Sequence, residues 1–258
     1  MIEQKKNKLF IVLAGIFLTN AIIAELIGVK IFSGENTLGL SPANLHLLGF
    51  TMDFNLTAGA VIWPVVFITS DLINEYFGKP GVKRISYLAA IFIAYSFLVI
   101  FLAMHLPPAQ WWLDANNKDG AGRFFDMDFA FNKILGQGQR IIVASLAAFL
   151  VGQLVDVFVF QKLRRLTGSK MLWLRATGST LISQFIDSFV VLYLAFTGIF
   201  TNQQIVAIGI TNYLYKFSVA ILLTPLIYLG HFVIDRYLGK ADAEKLSEES
   251  AQQSSSFF

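Results

Sequence analysis

The sequence predicts an all-α integral membrane protein: a bundle of six transmembrane helices with both termini cytoplasmic. Three observations carry this. The 258 residues are 55% hydrophobic and only 14% charged, whereas a soluble domain carries about a quarter charged residues. The apolar residues fall into blocks close to the roughly 20 residues that a helix needs to cross a bilayer. The basic residues gather at the ends of those blocks, mostly on alternate sides.

The first block, 9–29, follows a basic start, MIEQKKNKLF. That start has the charge of a signal-peptide n-region. The apolar run reaches Val29 with no small-residue cleavage site, so an uncleaved first helix is expected. The second and third blocks are 56–78 and 84–106, parted by the Gly78–Gly81 turn. The fourth, fifth and sixth are 139–162, 174–199 and 205–234, the last with Pro225 inside as an expected kink. Alternation puts fourteen Lys and Arg on one side, among them Lys79, Arg164, Lys170 and Arg175. The other side has five, including Lys118 and Arg140. The richer side is the cytoplasmic one. Two outer segments, 30–55 and 107–138, are too long for plain turns and hold Gly, Pro, Asn, Asp and the pair Trp111–Trp112. Lids and solvated loops are both open for them. Residues 1–240 thus form the transmembrane domain, and the polar tail 241–258 is expected to be disordered and cytoplasmic.

Composition also excludes several chemistries. There is no cysteine, so disulfides and thiolate centres are out. His46, His105 and His231 are too scattered for a metal cluster. No G-x-x-x-x-G-K-[ST] motif is present, so the chain does not power itself with ATP. No G-x-G-D protease motif occurs, the basic residues make no stripe for nucleic acid, and no cofactor is implied. The expected class is therefore not an enzyme.

The informative residues are polar ones inside apolar blocks. In ITSDLINEYFG, Asp71 and Glu75 lie four residues apart, on one face at the end of a helix. The helix dipole disfavours negative charge there, so they are not helix stabilisers. Lys83 and Arg84, just beyond the turn, could neutralise them. VGQLVDVF and ISQFIDSF repeat one pattern, Gln153 with Asp156 and Gln184 with Asp187. Ionisable residues at membrane depth are costly and usually face a cavity. The competing reading is hydrogen-bonded glue between helices. Two Gln-Asp pairs plus Asp71 favour a shared cavity with Asp71, Gln153, Asp156, Gln184 and Asp187 as substrate ligands. Glu75, Lys216, Asn20 and Asn212 are expected as gate or charge partners, with Lys216 able to pair with Asp187. Glu25 is balanced between snorkelling and an outer gate. Trp63, Phe67, Phe185 and Phe189 are expected as aromatic walls. Carboxylates and carboxamides between aromatics suit a flat heterocycle with a guanine-like edge. A cation or an amine would fit as well.

The stretch WPVVFITSDLINEYFGK, an aromatic-Pro pair followed by D-x-x-x-E-x-aromatic-G-K, resembles the signature of the queuosine precursor transporter family of bacterial inner membranes. RIIVASLAAFLVGQLVDVFVFQKLRRLTG, WLRATGSTLISQFIDSFVVLYLAF and NYLYKFSVAILLTPLIYL are similar to its fourth, fifth and sixth spans. The resemblance implies import of 7-deazaguanine bases, such as the 7-cyano and 7-aminomethyl forms, into the cytoplasm. It implies a small-molecule substrate and the lipid bilayer as partners, and leaves a homo-oligomer open. The alternative is a substrate-binding membrane subunit of an ATP-driven, energy-coupling-factor-type importer. Span one offers only Ala14, Gly15, Ala21, Ala24 and Gly28, with no clear A-x-x-x-A for such a partner ATPase, so dependence on one is not expected.

Overall fold

The computed structural model describes residues 2–136, 139–167 and 171–255. Lys170, counted in the charge bias, lies outside the described residues, as does the side chain of Arg140. Among the described residues, five helices are long and apolar enough to cross a membrane. They are α1 (Ile2–Ile27), α3 (Trp63–Met104), α6 (Gln139–Thr167), α7 (Leu172–Phe196) and α8 (Asn202–Leu238), with α2 (Gly34–Thr37), α4 (Gln110–Ala115) and α5 (Met127–Leu135) as short outlying turns. The last helix, α9 (Lys240–Ser255), follows α8 directly.

The second and third apolar blocks form one element of 42 residues. At 1.5 Å per residue it would be about 63 Å long, roughly twice the hydrocarbon thickness. It is not straight. Gly78 leaves the helix with φ 64° and ψ −169°, a conformation essentially reserved for glycine, and Pro80 removes a backbone donor just after it. Both halves join one core. Val66, Leu72 and Ile73 before the break, and Val82, Ile85 and Ile93 after it, cluster with Leu9, Leu13, Phe17 and Ala21 of α1. An unbroken rod could not lay both halves along α1, whose 26 residues span about 39 Å.

The remaining elements have local causes. Thr201 caps α8 by accepting from the Gln204 amide while the Gln204 side chain accepts from the Thr201 amide, the reciprocal arrangement that satisfies two orphan donors. The helix then continues through Pro225.

The first outer segment is folded. Strand β1 (Ile31–Ser33) pairs antiparallel with β4 (Asn55–Thr57), and β2 (Leu45–Leu47) with β3 (Phe50–Met52). Glu35 ties the segment together. Its carboxylate accepts from the Phe54 amide at 2.7 Å, the Ala43 amide at 3.3 Å and the Ser33 hydroxyl at 3.1 Å. These bonds hold the carboxyl below its ordinary value, the Phe54 amide contributing most. The second outer segment carries α4, α5 and an exposed turn closed by Arg123 on Asp119.

One expectation needs correcting. The tail after Lys240, read as disordered, is helical through Ser255. Ala243, Leu246 and Ser250 are buried. With Ser247 they fall three and four residues apart on one face, which packs on the bundle at the Glu75 end. Small side chains and hydroxyls make that face, which is why hydropathy hides it.

Candidate functional site

A cavity of about 400 Å³ lies within the bundle, bounded by α1, α3, α6, α7 and α8. That volume is within the range of small-molecule sites. Helical spacing explains how each helix reaches it. Pro64, Phe67, Ile68 and Asp71 form one face of α3, and Thr177, Thr180, Gln184 and Asp187 one face of α7. Asn212 and Lys216 come from α8, and Gln153 from α6. Strand β4 closes one end with Asn55, Leu56 and Thr57. The two ends of the first outer segment, at Ile31 and Asn55, therefore reach the cavity wall.

The polar groups differ in what they already touch. Asp187 accepts from the Lys216 ammonium at 2.6 Å, the pairing expected from sequence. Gly152 faces Asp187, and a Cβ there would stand 3.4 Å from the Asp187 Cβ, so α6 and α7 approach closely beside the pair. The Gln153 carbonyl oxygen accepts from the Ser70 hydroxyl at 3.0 Å. Glu25 also lines the cavity, with both carboxylate oxygens 2.7 Å from the Ser145 hydroxyl. Thr177 and Thr224 share a hydrogen bond of 2.9 Å. Two buried atoms on the cavity stand apart: among the described residues Asp71 Oδ1 and Gln184 Oε1 have no hydrogen-bond partner. A buried polar atom without a partner costs about 1–3 kcal/mol. Two of them face one cavity, open to donors from a ligand.

Other expected site residues lie elsewhere. Asp156 is buried behind the wall, accepts from the Ser183 hydroxyl at 3.2 Å, and is close enough to Asp71 for their charges to interact. It is not a wall residue. Asn20 donates back to the Ile16 carbonyl on its own helix at 2.8 Å and does not reach the cavity. Of the four expected aromatics, Trp63 and Phe67 line the cavity, stacked with centroids 5.8 Å apart. Phe185 and Phe189 do not. Phe185 follows Gln184 by one residue, about 100° around the helix, and is half-exposed beside Phe189 and Tyr213. Phe149 of α6 takes a place on the wall instead, 5.7 Å from Trp63.

Glu75 has a different task from Asp71. Its carboxylate receives the Arg175 guanidinium at 2.9 and 3.0 Å and lies 3.4 Å from that of Arg164. Lys83 and Arg84, the expected neutralisers, are replaced by these two arginines. Both had been legible only as members of the positive side. The Ser247 hydroxyl of α9 donates to Glu75 at 2.8 Å, and the Ser250 hydroxyl to the Glu75 carbonyl at 2.6 Å. The cluster sits one turn beyond the cavity floor, because Glu75 follows Asp71 by four residues and Arg175 precedes the lining residue Ala176. Among the described residues no group of three or more His, Cys, Asp or Glu side chains could hold a metal.

Residues 57–230 match a protein-family model described as "Putative vitamin uptake transporter". A "Probable queuosine precursor transporter" of Bacillus subtilis (strain 168) is 29% identical over 226 residues, covering 83% of this chain and 93% of the relative. The "Queuosine precursor transporter" of Escherichia coli (strain K12) is 27% identical over 203 residues, 76% of this chain and 82% of that one. A second "Probable queuosine precursor transporter", from Haemophilus influenzae, is 29% identical over 187 residues, 69% and 70% of the two chains. No solved structure matches.

Proposed function

The chain belongs to the vitamin uptake transporter family, and from that premise we propose that it carries queuosine precursors into the cytoplasm. The substrates in this reading are 7-deazaguanine bases, the 7-cyano and 7-aminomethyl forms, and the membrane is the bacterial inner membrane. The reading has six crossings, with the chain turning back at Gly78, and both termini cytoplasmic. That places the cluster of Glu75, Arg164 and Arg175 inside and the first outer segment outside.

The observation that carries the substrate reading is the pair of unpartnered acceptors, Asp71 Oδ1 and Gln184 Oε1, on a cavity with an aromatic wall. A guanine edge offers a ring N–H and an exocyclic amine, which one carboxylate accepts together. The second ring N–H suits the Gln184 oxygen. Trp63 and Phe67 offer faces for stacking. Asp187 and Lys216 already satisfy each other, so they read as a charge pair that shapes the wall.

The test is uptake of labelled 7-cyano-7-deazaguanine by cells that neither synthesise nor import it, expressing this chain alone. Wild type is expected to accumulate label. Asp71→Asn keeps the volume but turns one acceptor into a donor facing the base amine. Hydrogen bonds to a charged group are worth about 1.5–3 kcal/mol, so uptake should fall roughly 10- to 100-fold. If wild type moves neither base, the substrate reading is wrong. If Asp71→Asn transports like wild type while reaching the membrane, the assigned site is wrong.

A further inference from the structure

A substrate released inward must leave through the floor of the cavity, and three layers lie there. The first is Asp71 with the residues around it. The second, one turn below, is Glu75 held by Arg175 and Arg164. The third is α9. Its contacts are to the second layer. Arg164 donates to the Ser247 carbonyl and hydroxyl, to the Ser250 hydroxyl at 3.0 Å and to the Glu75 carbonyl at 3.0 Å. Ser247 and Ser250 donate in turn to the side chain and backbone of Glu75. Helices α3, α6 and α7 each supply one charged member of this cluster, and the two α9 serines bond to the members from α3 and α6. α9 therefore ties α3 to α6 at this end, and α7 joins them through the Arg175–Glu75 pair.

Among the described residues, the hydrophobic side chains that α9 buries are Ala243 and Leu246. It joins α8 at Gly239, whose φ of 95° and ψ of 134° make a sharp corner. The seat combines those hydroxyl bonds with Ala243 and Leu246, which join the main hydrophobic cluster. Glu75 and the arginines would still neutralise one another if α9 left.

We propose that α9 is an intramolecular latch on the inner exit, holding the Glu75–Arg164–Arg175 cluster closed through Ser247 and Ser250, so that the cavity opens inward only when α9 lifts. This rests on the cavity being the transport site with its Glu75 end cytoplasmic. It does not depend on which base is carried.

The absence of native cysteine makes the test direct. Thr177→Cys places one thiol on the cavity wall next to the cluster. Its reaction with a charged, membrane-impermeant thiosulfonate is timed in inverted and in right-side-out membrane vesicles. The measurement is made in the otherwise native chain, in Ser247→Ala/Ser250→Ala, and in a chain ending at Gly239. Loss of the latch bonds should speed labelling in inverted vesicles at least about tenfold, the population shift that accompanies roughly 1.4 kcal/mol. Labelling in right-side-out vesicles should not change. Equal rates in the serine variant and the native chain overturn the latch, whether or not the shortened chain reaches the membrane. Acceleration only in right-side-out vesicles overturns the assigned side. Neither readout uses a substrate, so failed uptake of deazaguanines would leave this result standing.

Discussion

Removing Arg175 tests whether the Glu75 cluster holds the bundle together. Arg175→Met keeps most of the side-chain volume and deletes the guanidinium that contacts both Glu75 oxygens at 2.9 and 3.0 Å. The pair is buried, with the Arg175 side chain 3% and that of Glu75 7% exposed. Breaking a buried pair from one side costs about 3–5 kcal/mol, because a charge is left uncompensated. Arg164 at 3.4 Å and the Ser247 hydroxyl at 2.8 Å remain on Glu75, which favours the lower figure. About 3 kcal/mol lowers Tm by roughly 6–12 °C at a few degrees per kcal/mol. The assay is intrinsic-fluorescence melting of the detergent-solubilised protein. Adding Glu75→Gln leaves the buried Arg164 guanidinium without its acid and should recover none of the loss. Lys83→Met/Arg84→Met is the control and should melt within about 2 °C of wild type. An Arg175→Met protein that melts with wild type, or a double variant that melts well above the single one, refutes the reasoning.

Two further outcomes follow from the backbone and the first outer segment. Gly78→Ala forces a Cβ into a conformation that costs about 1–3 kcal/mol, so it should lower Tm by several degrees; an unchanged melt would mean the break is not needed. Glu35 has its carboxyl held below its ordinary value near 4.5 by the Phe54 amide above all. A depressed folded-state value stabilises the segment above the unfolded value and is lost as pH falls through the folded one. Proteolysis within 30–57 should therefore quicken below about pH 4.5 in wild type, and in Glu35→Gln it should be fast and flat with pH. A wild-type profile as flat as that of the variant would remove Glu35 from this role.

What was legible in the sequence was whatever one helix decides alone. Gln184 and Asp187 stood out as polar residues at helical spacing in an apolar block, and both line the cavity. Thr177 and Thr180 continue the same face by steps of three and four and were readable by the same rule. The exclusion of Phe185 was readable too, since consecutive residues do not share a face. What one chain does not encode visibly is which helices meet. The Gln-Asp repeat suggests equivalent roles, yet α6 turns Gly152 and Gln153 toward the cavity and leaves Asp156 behind it. Arg164 and Arg175 read as topological charges because their acid is some 90 and 100 residues away along the chain. The fold of α9 was hidden for a related reason. Its packed face is Ala243, Leu246, Ser250 and the half-buried Ser247, and the partner surface on Glu75 and Arg164 gives those hydroxyls a reason to face inward.

The two acids of ITSDLINEYFG, one turn apart on one helix, are held in opposite ways. Glu75 is over-supplied with donors: two guanidinium groups and a hydroxyl on the carboxylate, with Arg164 and Ser250 also on its carbonyl. Asp71 is under-supplied, with one oxygen bare inside the cavity and Asp156 behind it. A buried acid with every acceptor filled is a fixed joint, since exchanging any partner exposes a charge. A buried acid with an empty acceptor gains from any ligand that brings a donor. The spacing of four residues sets the joint directly beneath the bare acid. Under the function proposed above, a ligand bonded to Asp71 would sit on the same helix turn that carries the Glu75 joint.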